Sequence, residues 1–185
     1  MKLNLGCGFN KKPGYVNVDK FGSCQPDLVM DLEVLPWAFK DGEVDEVLFN
    51  HSLEHMGQDT NTFLGIITEL YRVCKAGATI QVNVPHPRHD DFFGDPTHVR
   101  IVTPNMLAMF SKRQNGLWRE ARAANTPLGL YLDVDFEVRH IENVLEQRYM
   151  SLLQAKQISA EELEVIAKER NNVVSEYRIT LEVIK

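Results

Sequence analysis

The sequence predicts a mostly parallel, doubly wound α/β sheet in a single domain, and three observations support this prediction. A short apolar segment at residues 3–5 leads directly into a glycine loop at residues 6–8. Several segments with a β pattern end at or beside a carboxylate. A β segment at residues 46–50, a segment with helical periodicity at 60–76 and another β segment at 78–85 follow one another. This order implies a crossover between parallel strands.

Composition places the chain among ordinary globular proteins. Its 185 residues are 44% hydrophobic and 25% charged, with a formal net charge of -6, and a chain of this length buries roughly 70% of its unfolded surface. No apolar run approaches the ~18 to 20 residues that span a bilayer, and the first residues lack a signal-peptide pattern. We therefore expect a cytoplasmic protein with no membrane partner. The acidic balance argues against binding to nucleic acid.

The cysteine pattern indicates reduced thiols. Cys7, Cys24 and Cys74 are odd in number and have no C-x-x-C spacing. They therefore predict neither a disulfide framework nor a four-ligand zinc site.

The first half of the chain contains four predicted strands. They cover residues 3–5, 15–19, 27–32 and 46–50, which are rich in apolar and β-branched residues. Only residues 9–14 separate the glycine loop from the second strand. A helix between strands one and two must therefore be reduced or absent.

The middle of the chain predicts one long helix and one long loop. Apolar residues recur with a period of 3.6 over residues 60–76, and Gly77 stands where a helix C-cap is expected. A fifth strand at 78–85 ends at a proline. Residues 86–98 are too rich in His, Asp and Pro for a packed element, so we expect a long loop after the carboxyl end of this strand.

The C-terminal part predicts a short helix followed by strand, helix and strand. Thr103 and Pro104 are typical of a helix N-cap and first residue. Residues 136–141 alternate as a strand, and Ser159 opens a capping-box pattern. Residues 177–183 alternate as the last strand.

The carboxyl ends of the predicted strands form the candidate ligand site. In an open parallel sheet the ligand lies outside these ends, and glycines after the first strand allow close approach to the backbone. Asp19, which closes the second strand, suits a ribose because a carboxylate accepts hydrogen bonds from two adjacent hydroxyls. The dinucleotide loop needs G-x-G-x-x-G, but Lys11 stands at the third glycine. This argues against NAD and FAD, while an ordinary tight turn explains the two glycines equally well.

Six short segments of the chain carry a family pattern. They are residues 3–8, 18–19, 31–32, 35–37, 50–55 and 72–77. Together they resemble the class I S-adenosylmethionine-dependent methyltransferases, most closely small bacterial members of the methyltransferase type 11 group. The resemblance implies a seven-stranded, Rossmann-like sheet whose last strand is antiparallel, with S-adenosyl-L-methionine as the cofactor.

The resemblance also implies a set of cofactor-binding residues at the ends of strands one to four. These are Gly6, Cys7, Gly8, Asp19, Asp31, Leu32, Asn50 and His51. The glycine loop would lie against the methionine and ribose part of the cofactor, and Asp19 would bind the ribose hydroxyls. Asp31 and Leu32 would contact the adenine. Asn50 and His51 would lie under the methionyl moiety.

Residues 51–55 also spell H-x-x-E-H, the motif of inverted zinc peptidases. That site needs His51 and His55 on one helical face, with Glu54 as the general base. The motif directly follows a predicted strand and is followed by Gly57, which argues against a helix around it. A strand-to-helix turn without a ligand is the simpler interpretation, and we assign no metal-binding residue.

The polar loop at residues 86–98 is the predicted acceptor site, because it follows strand five and would face a methyl donor on strands one and four. A hydroxyl acceptor benefits from a base, and histidine titrates near neutral pH. His89 and His98 are therefore the candidate catalytic residues.

Three further residues are candidate substrate contacts, with Arg100 suited to an acidic group. They are His55, His86 and Arg100. The same loop is also compatible with a solvated segment built from turns. A metal site at His89, Asp91 and His98 is a further alternative, although no fixed spacing supports it.

The sequence thus predicts an S-adenosylmethionine-dependent methyltransferase acting on an oxygen or nitrogen nucleophile of a small or medium-sized molecule. One alternative is a cofactor-binding protein without turnover. The other is a zinc-dependent hydrolase using His51, Glu54 and His55.

Overall fold

Seven strands form one sheet in the computed structural model, which describes residues 1–185. The strands are β1 (Lys2–Leu5), β2 (Val16–Asp19), β3 (Leu28–Val29), β4 (Val44–Asn50), β5 (Cys74–Pro85), β6 (Phe136–Leu145) and β7 (Val174–Val183). Their order in the sheet is β3-β2-β1-β4-β5-β7-β6. Strands β1 to β5 pair in parallel, whereas β7 is antiparallel to both of its neighbours. The predicted doubly wound, mostly parallel, Rossmann-like sheet with an antiparallel last strand is confirmed.

Seven α-helices and two short 3-10 turns complete the chain. The helices are α1 (Thr60–Val73), α2 (Asp90–Gly94), α3 (Pro104–Ala108), α4 (Lys112–Glu120), α5 (Leu128–Tyr131), α6 (Gln147–Gln154) and α7 (Ala160–Glu169), and the 3-10 turns are Gly22–Cys24 and Leu53–His55. No α-helix lies between β1 and β2, as the short spacing predicts. Each helix is too short or too polar to cross a bilayer.

The centre of the sheet and the apolar face of α1 form the hydrophobic core. The core contains 28 buried side chains. Leu5 in β1, Phe49 in β4 and Ile80 in β5 are fully buried. Because helices and loops cover a parallel sheet, its strands bury nearly every apolar side chain. The 3.6-residue stripe of α1 is buried as predicted, with Ile66 and Leu70 among its most buried residues.

The predicted C-terminus of the long helix is wrong. The helix ends at Val73, and Cys74 takes an extended conformation that already begins β5. Gly77 is therefore not a helix cap, although it does adopt a positive φ of 75°. It lies in β5 between the residues that pair with Val44 and Glu46, where the register shifts. The glycine signal marks an irregularity of the strand, which a glycine also favours.

The predicted absence of a packed element in residues 86–98 is also wrong. The helix α2 lies within this segment, and His89 caps it by accepting a hydrogen bond from the Asp91 backbone N–H. Phe92 is buried in the helix. Its two apolar residues, Phe92 and Phe93, are adjacent and so give no helical periodicity, and the sequence pattern could not show this helix.

The C-terminal prediction is correct in order but lacks three helices, of which two, α4 and α5, lie between α3 and β6. Thr103 caps α3 with Pro104 at its first position, and Ser159 forms a complete capping box with Glu162. Two helices, α6 and α7, lie between β6 and β7 instead of one. The third strand is also shorter than predicted, because only Leu28–Val29 pair with β2.

A buried carboxylate, Glu69 of α1, ties the loop after β3 to this helix. The Glu69 carboxylate accepts a hydrogen bond from the Trp37 backbone N–H at 2.6 Å and from Arg72 Nε at 2.9 Å. The Trp37 indole in turn donates to the Leu32 carbonyl at 2.9 Å. The Arg72 guanidinium and the Trp37 backbone N–H lower the pKa of Glu69 below its ordinary value, although burial opposes this effect.

We expect Glu69→Gln to lower the free energy of unfolding at about pH 7 by about 1–3 kcal/mol, because it weakens hydrogen bonds to a charged group. The folded-state pKa of Glu69 is lowered, so its charge stabilises the fold above the unfolded pKa of about 4.3, and this stabilisation is lost as the pH falls through the folded pKa. Urea unfolding of both chains at about pH 7 and about pH 3 should show the difference shrinking at low pH. An equal difference at both pH values would contradict this role.

The glycine loop after β1 contains two glycines with different constraints. Gly6 has φ +67°, and a Cβ added there would lie 2.5 Å from Ser52 Cβ. Ser52 is itself fixed, since its hydroxyl donates to the Leu5 carbonyl at 2.8 Å. Gly8 has φ +49°, but an added Cβ would meet no atom within 4 Å.

We therefore expect Gly8→Ala to cost only the left-handed backbone penalty of about 1–2 kcal/mol. Gly6→Ala should cost more, because the steric overlap with Ser52 adds to the same backbone penalty. Urea unfolding of the two variants beside the parent checks this order. Equal losses of stability would show that the overlap at Gly6 relaxes freely.

Candidate functional site

A cavity of about 410 Å³ lies at the carboxyl ends of β1 to β4. It is lined by Gly6, Gly8, Asp19, Lys20, Phe21, Met30, Asp31, Leu32, Glu33, His51, Ser52, His55, Met56 and Thr97. Its volume falls within the ~300–1,000 Å³ that small-molecule sites occupy. β1 is flanked by β2 on one side and β4 on the other, so the cavity lies at the point where the strand order reverses, the usual ligand position in such sheets.

Asp19 is fixed by two backbone hydrogen bonds at the end of β2. One carboxylate oxygen accepts from the Gly8 N–H at 2.8 Å, and the other accepts from the Phe21 N–H at 2.9 Å. Each carboxylate oxygen has two lone pairs, so both oxygens keep capacity for a ligand. The residue is 8% exposed and lines the cavity. The two hydrogen bonds hold its carboxylate oxygens in a defined direction.

The segment after β3 combines an acid with apolar side chains. Asp31 uses one carboxylate oxygen to accept from the Glu33 N–H at 3.0 Å. Met30 and Leu32 flank it and line the cavity, together with Phe21, which is 60% exposed. An exposed aromatic ring beside a carboxylate is suited to a flat heterocycle that carries a hydrogen-bond donor.

The segment after β4 brings two histidines to the cavity in different ways. His51 has a left-handed backbone with φ +51°, and its Nε2–H donates to Glu176 on β7 at 2.6 Å. His55 ends the 3-10 turn at Leu53–His55. Because this turn is not an α-helix and His51 lies before it, the two histidines do not form the helical face of an inverted zinc peptidase. This geometry removes the structural basis of the zinc-hydrolase alternative.

Glu54 is a buried carboxyl group behind the cavity wall. Its side chain is 1% exposed, and neither oxygen has a hydrogen-bond partner. Burial raises the pKa of Glu54 to about 7, and the negative charges of Asp95 and Glu176 add to this effect. Two histidine nitrogens face Oε1 at distances beyond a hydrogen bond, with His51 Nδ1 at 3.7 Å and His98 Nε2 at 4.0 Å.

Seven of the residues singled out from the sequence line the cavity. They are Gly6, Gly8, Asp19, Asp31, Leu32, His51 and His55. Two residues implied as cofactor contacts do not line it. Cys7 is buried, and Asn50 accepts a hydrogen bond from the Asn83 side chain at 2.9 Å.

The candidate catalytic residue His89 does not line the cavity. It is buried, caps α2 and contacts Glu146 through Nε2 at 3.0 Å. His98, the other candidate, also does not line the cavity, but its ring contacts that of His55 with centroids 4.6 Å apart. Of the two candidates, only His98 therefore contacts a residue that lines the cavity.

The candidate substrate residues also divide. Of the three, only His55 lines the cavity. His86 packs against Tyr177 with ring centroids 4.7 Å apart. Arg100 donates from Nε to the Gly57 carbonyl at 3.1 Å and lies over the Phe63 ring, which gives it a structural contact.

Several lining residues were missed by the sequence interpretation. Phe21, Met30 and Thr97 lie next to residues that it did select or within the polar loop. Phe21 lies two residues after Asp19 and Met30 directly precedes Asp31, so their position beside an acid at a strand end could have indicated both. Thr97 is remote in sequence from the other lining residues, and only the fold brings it there.

The folded chain resembles solved methyltransferase structures over nearly its whole length. A SAM-dependent methyltransferase from Archaeoglobus fulgidus is 20% identical, with a TM-score of 0.62 over 98% of this chain and 85% of that one. A SAM-dependent methyltransferase from Methanosarcina mazei is 15% identical, with a TM-score of 0.53 over 99% and 92% of the two chains.

The third structure contains ligands. The 1,6-didemethyltoxoflavin-N1-methyltransferase of Burkholderia thailandensis, with bound 1,6-didemethyltoxoflavin and S-adenosylhomocysteine, is 12% identical. Its TM-score is 0.52 over 100% of this chain and 71% of that one. No family model and no curated protein sequence matches the chain. The comparisons therefore rest on three-dimensional structure, and they show that the chain has the class I S-adenosylmethionine-dependent methyltransferase fold.

Proposed function

We propose that this protein is an S-adenosylmethionine-dependent methyltransferase that acts on an oxygen or nitrogen nucleophile of a small or medium-sized molecule. The observation that carries the proposal is the order of groups around the cavity. An open glycine, an acid with spare acceptor capacity and an apolar wall beside a second acid follow the ends of β1, β2 and β3 in turn.

The residues fit the parts of the cofactor one by one. The space beside Gly8 lets a ligand approach the backbone, because a side chain there would extend into open space. Asp19 can accept from two adjacent ribose hydroxyls while it keeps its hydrogen bonds to Gly8 and Phe21. Phe21 provides a ring surface for the adenine, and the second oxygen of Asp31 provides an acceptor for its amino group.

When bound, S-adenosylmethionine supplies a sulfonium methyl group for in-line displacement. The chain's contribution is then largely positional, since alignment of two reacting groups at ~3–3.5 Å can account for much of the acceleration. His55 and Thr97 line the cavity, whereas His89 does not. We therefore place the acceptor beside His55 and Thr97, and not beside His89.

The first experiment is a calorimetric titration of the purified, metal-analysed protein with S-adenosylmethionine, S-adenosylhomocysteine and NAD. We expect micromolar binding of the first two, at about 8 kcal/mol, and no binding of NAD. Absence of binding by both sulfur compounds would overturn the proposal. Formation of S-adenosylhomocysteine with a panel of hydroxyl and amine acceptors then separates an enzyme from a cofactor-binding protein without turnover.

Two acid substitutions test the placement of the cofactor. Asp19→Ala should weaken S-adenosylmethionine binding by about 1–3 kcal/mol, because ribose hydroxyls lose a buried acceptor. Asp31→Asn keeps the acceptor for the Glu33 N–H and should weaken binding less. Thermal unfolding of each variant separates a loss of binding from a loss of fold.

Asp133→Asn is the matched control, because Asp133 is an exposed acid outside the cavity that pairs with Lys112. We expect its affinity for S-adenosylmethionine to equal that of the parent. If Asp19→Ala binds as tightly as this control, the ribose is not held at the end of β2.

A further inference from the structure

His55, which lines the cavity, forms a cluster with two side chains that do not line it, Glu54 and His98. Glu54, His55 and His98 each present one oxygen or nitrogen atom, and these three atoms lie within 4.8 Å of one another. We propose that this cluster binds one divalent transition-metal ion, with Glu54, His55 and His98 as its ligands.

The Glu54 carboxyl group lacks a partner. Both carboxylate oxygens are buried without a hydrogen bond, and an unpaired buried carboxyl group costs free energy whether or not it is ionised. Arg100 lies close in the fold, since its N–H bonds to the Glu54 carbonyl. Its guanidinium, however, is directed to the Gly57 carbonyl and the Phe63 ring. A bound cation would supply the partner that the chain itself does not.

The hydrogen bonds of His98 and His55 determine which nitrogen of each ring carries the hydrogen. His98 Nδ1 lies 2.8 Å from the Phe92 carbonyl, which only accepts, so this nitrogen carries the hydrogen. In the neutral ring Nε2 then has a free lone pair, and Nε2 is the atom 4.0 Å from Glu54. The histidine is thus fixed in the tautomer that a metal ligand requires.

The same logic applies to His55. Its Nδ1 lies 2.9 Å from the Thr97 hydroxyl oxygen. That hydroxyl donates its hydrogen to Asp95 at 2.6 Å, so the oxygen accepts from His55 and leaves His55 Nε2 free. A histidine whose other nitrogen donates to a carbonyl or to a carboxylate-linked group is the usual outer-shell arrangement at metal sites.

The backbone holds the two parts of the cluster together. The Glu54 carbonyl accepts hydrogen bonds from the Val99 and Arg100 N–H groups, both at 3.0 Å. These bonds fix the chain around His98 against the 3-10 turn that contains Glu54 and His55. Ligand atoms of one tetrahedral zinc ion lie about 3.3–3.6 Å apart when each bond is ~2.0–2.2 Å. The three atoms lie within 4.8 Å of one another, so binding requires them to move closer by about 1 Å.

The donor set selects the kind of ion. Two imidazoles and one carboxylate suit Zn²⁺, Co²⁺ or Fe²⁺, whereas Mg²⁺ and Ca²⁺ prefer oxygen ligands alone. Three protein ligands leave a coordination position open. Because His55 lines the cavity, an ion at this cluster would adjoin it and could take an oxygen atom of an acceptor. That use rests on the proposed function, but metal binding does not.

The test is a titration of the full-length, metal-stripped protein with Co²⁺, followed by displacement with Zn²⁺. We expect one equivalent of Co²⁺ per chain with visible ligand-field absorption that Zn²⁺ abolishes. His98→Ala and Glu54→Gln should each weaken binding at least ~10-fold, since loss of even an outer-shell partner costs about 10–100-fold. Glu54→Gln keeps the shape of the side chain, so this variant still tests the site if His98→Ala does not fold.

His140→Ala is the control, because His140 is an exposed histidine on β6, and its affinity should equal that of the parent. Absence of stoichiometric binding by the parent, or equal binding by Glu54→Gln and the parent, would overturn the proposal. S-adenosylmethionine titration of the metal-free protein is read separately. If the protein binds Co²⁺ but not S-adenosylmethionine, the proposed function is rejected and the metal site is retained. If it binds S-adenosylmethionine but not Co²⁺, the metal site is rejected and the proposed function is retained.

Discussion

The parallel alignment of β1, β2 and β4 is the constraint on which the rest of the structure depends. Leu5 pairs with Val18 on one side and with Phe49 on the other, so three strands end at the same level. Backbone pairing fixes this register, and burial of both faces prevents it from slipping, since a one-residue shift would turn apolar side chains to the wrong face. The chain must leave each strand at nearly the same place, and the resulting loops surround one cavity.

Each exit from the sheet has a local solution that also shapes the cavity. After β1 the chain turns through Gly6, where the close approach of Ser52 leaves no space for a side chain. After β2 the carboxylate of Asp19 binds two backbone N–H groups, which orders the glycine loop and the residues beyond β2 together. The loop after β3 is anchored from α1 through Glu69 and Trp37. The cavity is thus preorganised by contacts that do not involve a ligand.

The segment after β4 differs because its carboxyl group, that of Glu54, is buried and does not line the cavity. Glu54 lies in a short turn whose carbonyl is bound by the segment before α3. That segment also places Thr97 in the cavity wall and His98 against His55. The polar loop therefore contributes to the site mainly through its last residues. Its first half is occupied by α2, where His89 has a capping role.

The sequence by itself determined the class of fold, the succession of the strands along the chain and the carboxyl ends of β1 and β2. These features depend on local signals: β-rich segments, a helical period in α1, glycines and an acid at fixed positions. Tertiary structure decided which polar residues meet. Gly77 could cap a helix or kink a strand, and only the pairing of Cys74 with Val44 selected the second. Likewise, six candidate residues do not line the cavity, namely Cys7, Asn50, His86, His89, His98 and Arg100. The proximity of Glu54 and His98, 4.0 Å apart, brings together two segments that are distant in sequence. Such contacts depend on packing between distant segments, which no local pattern encodes.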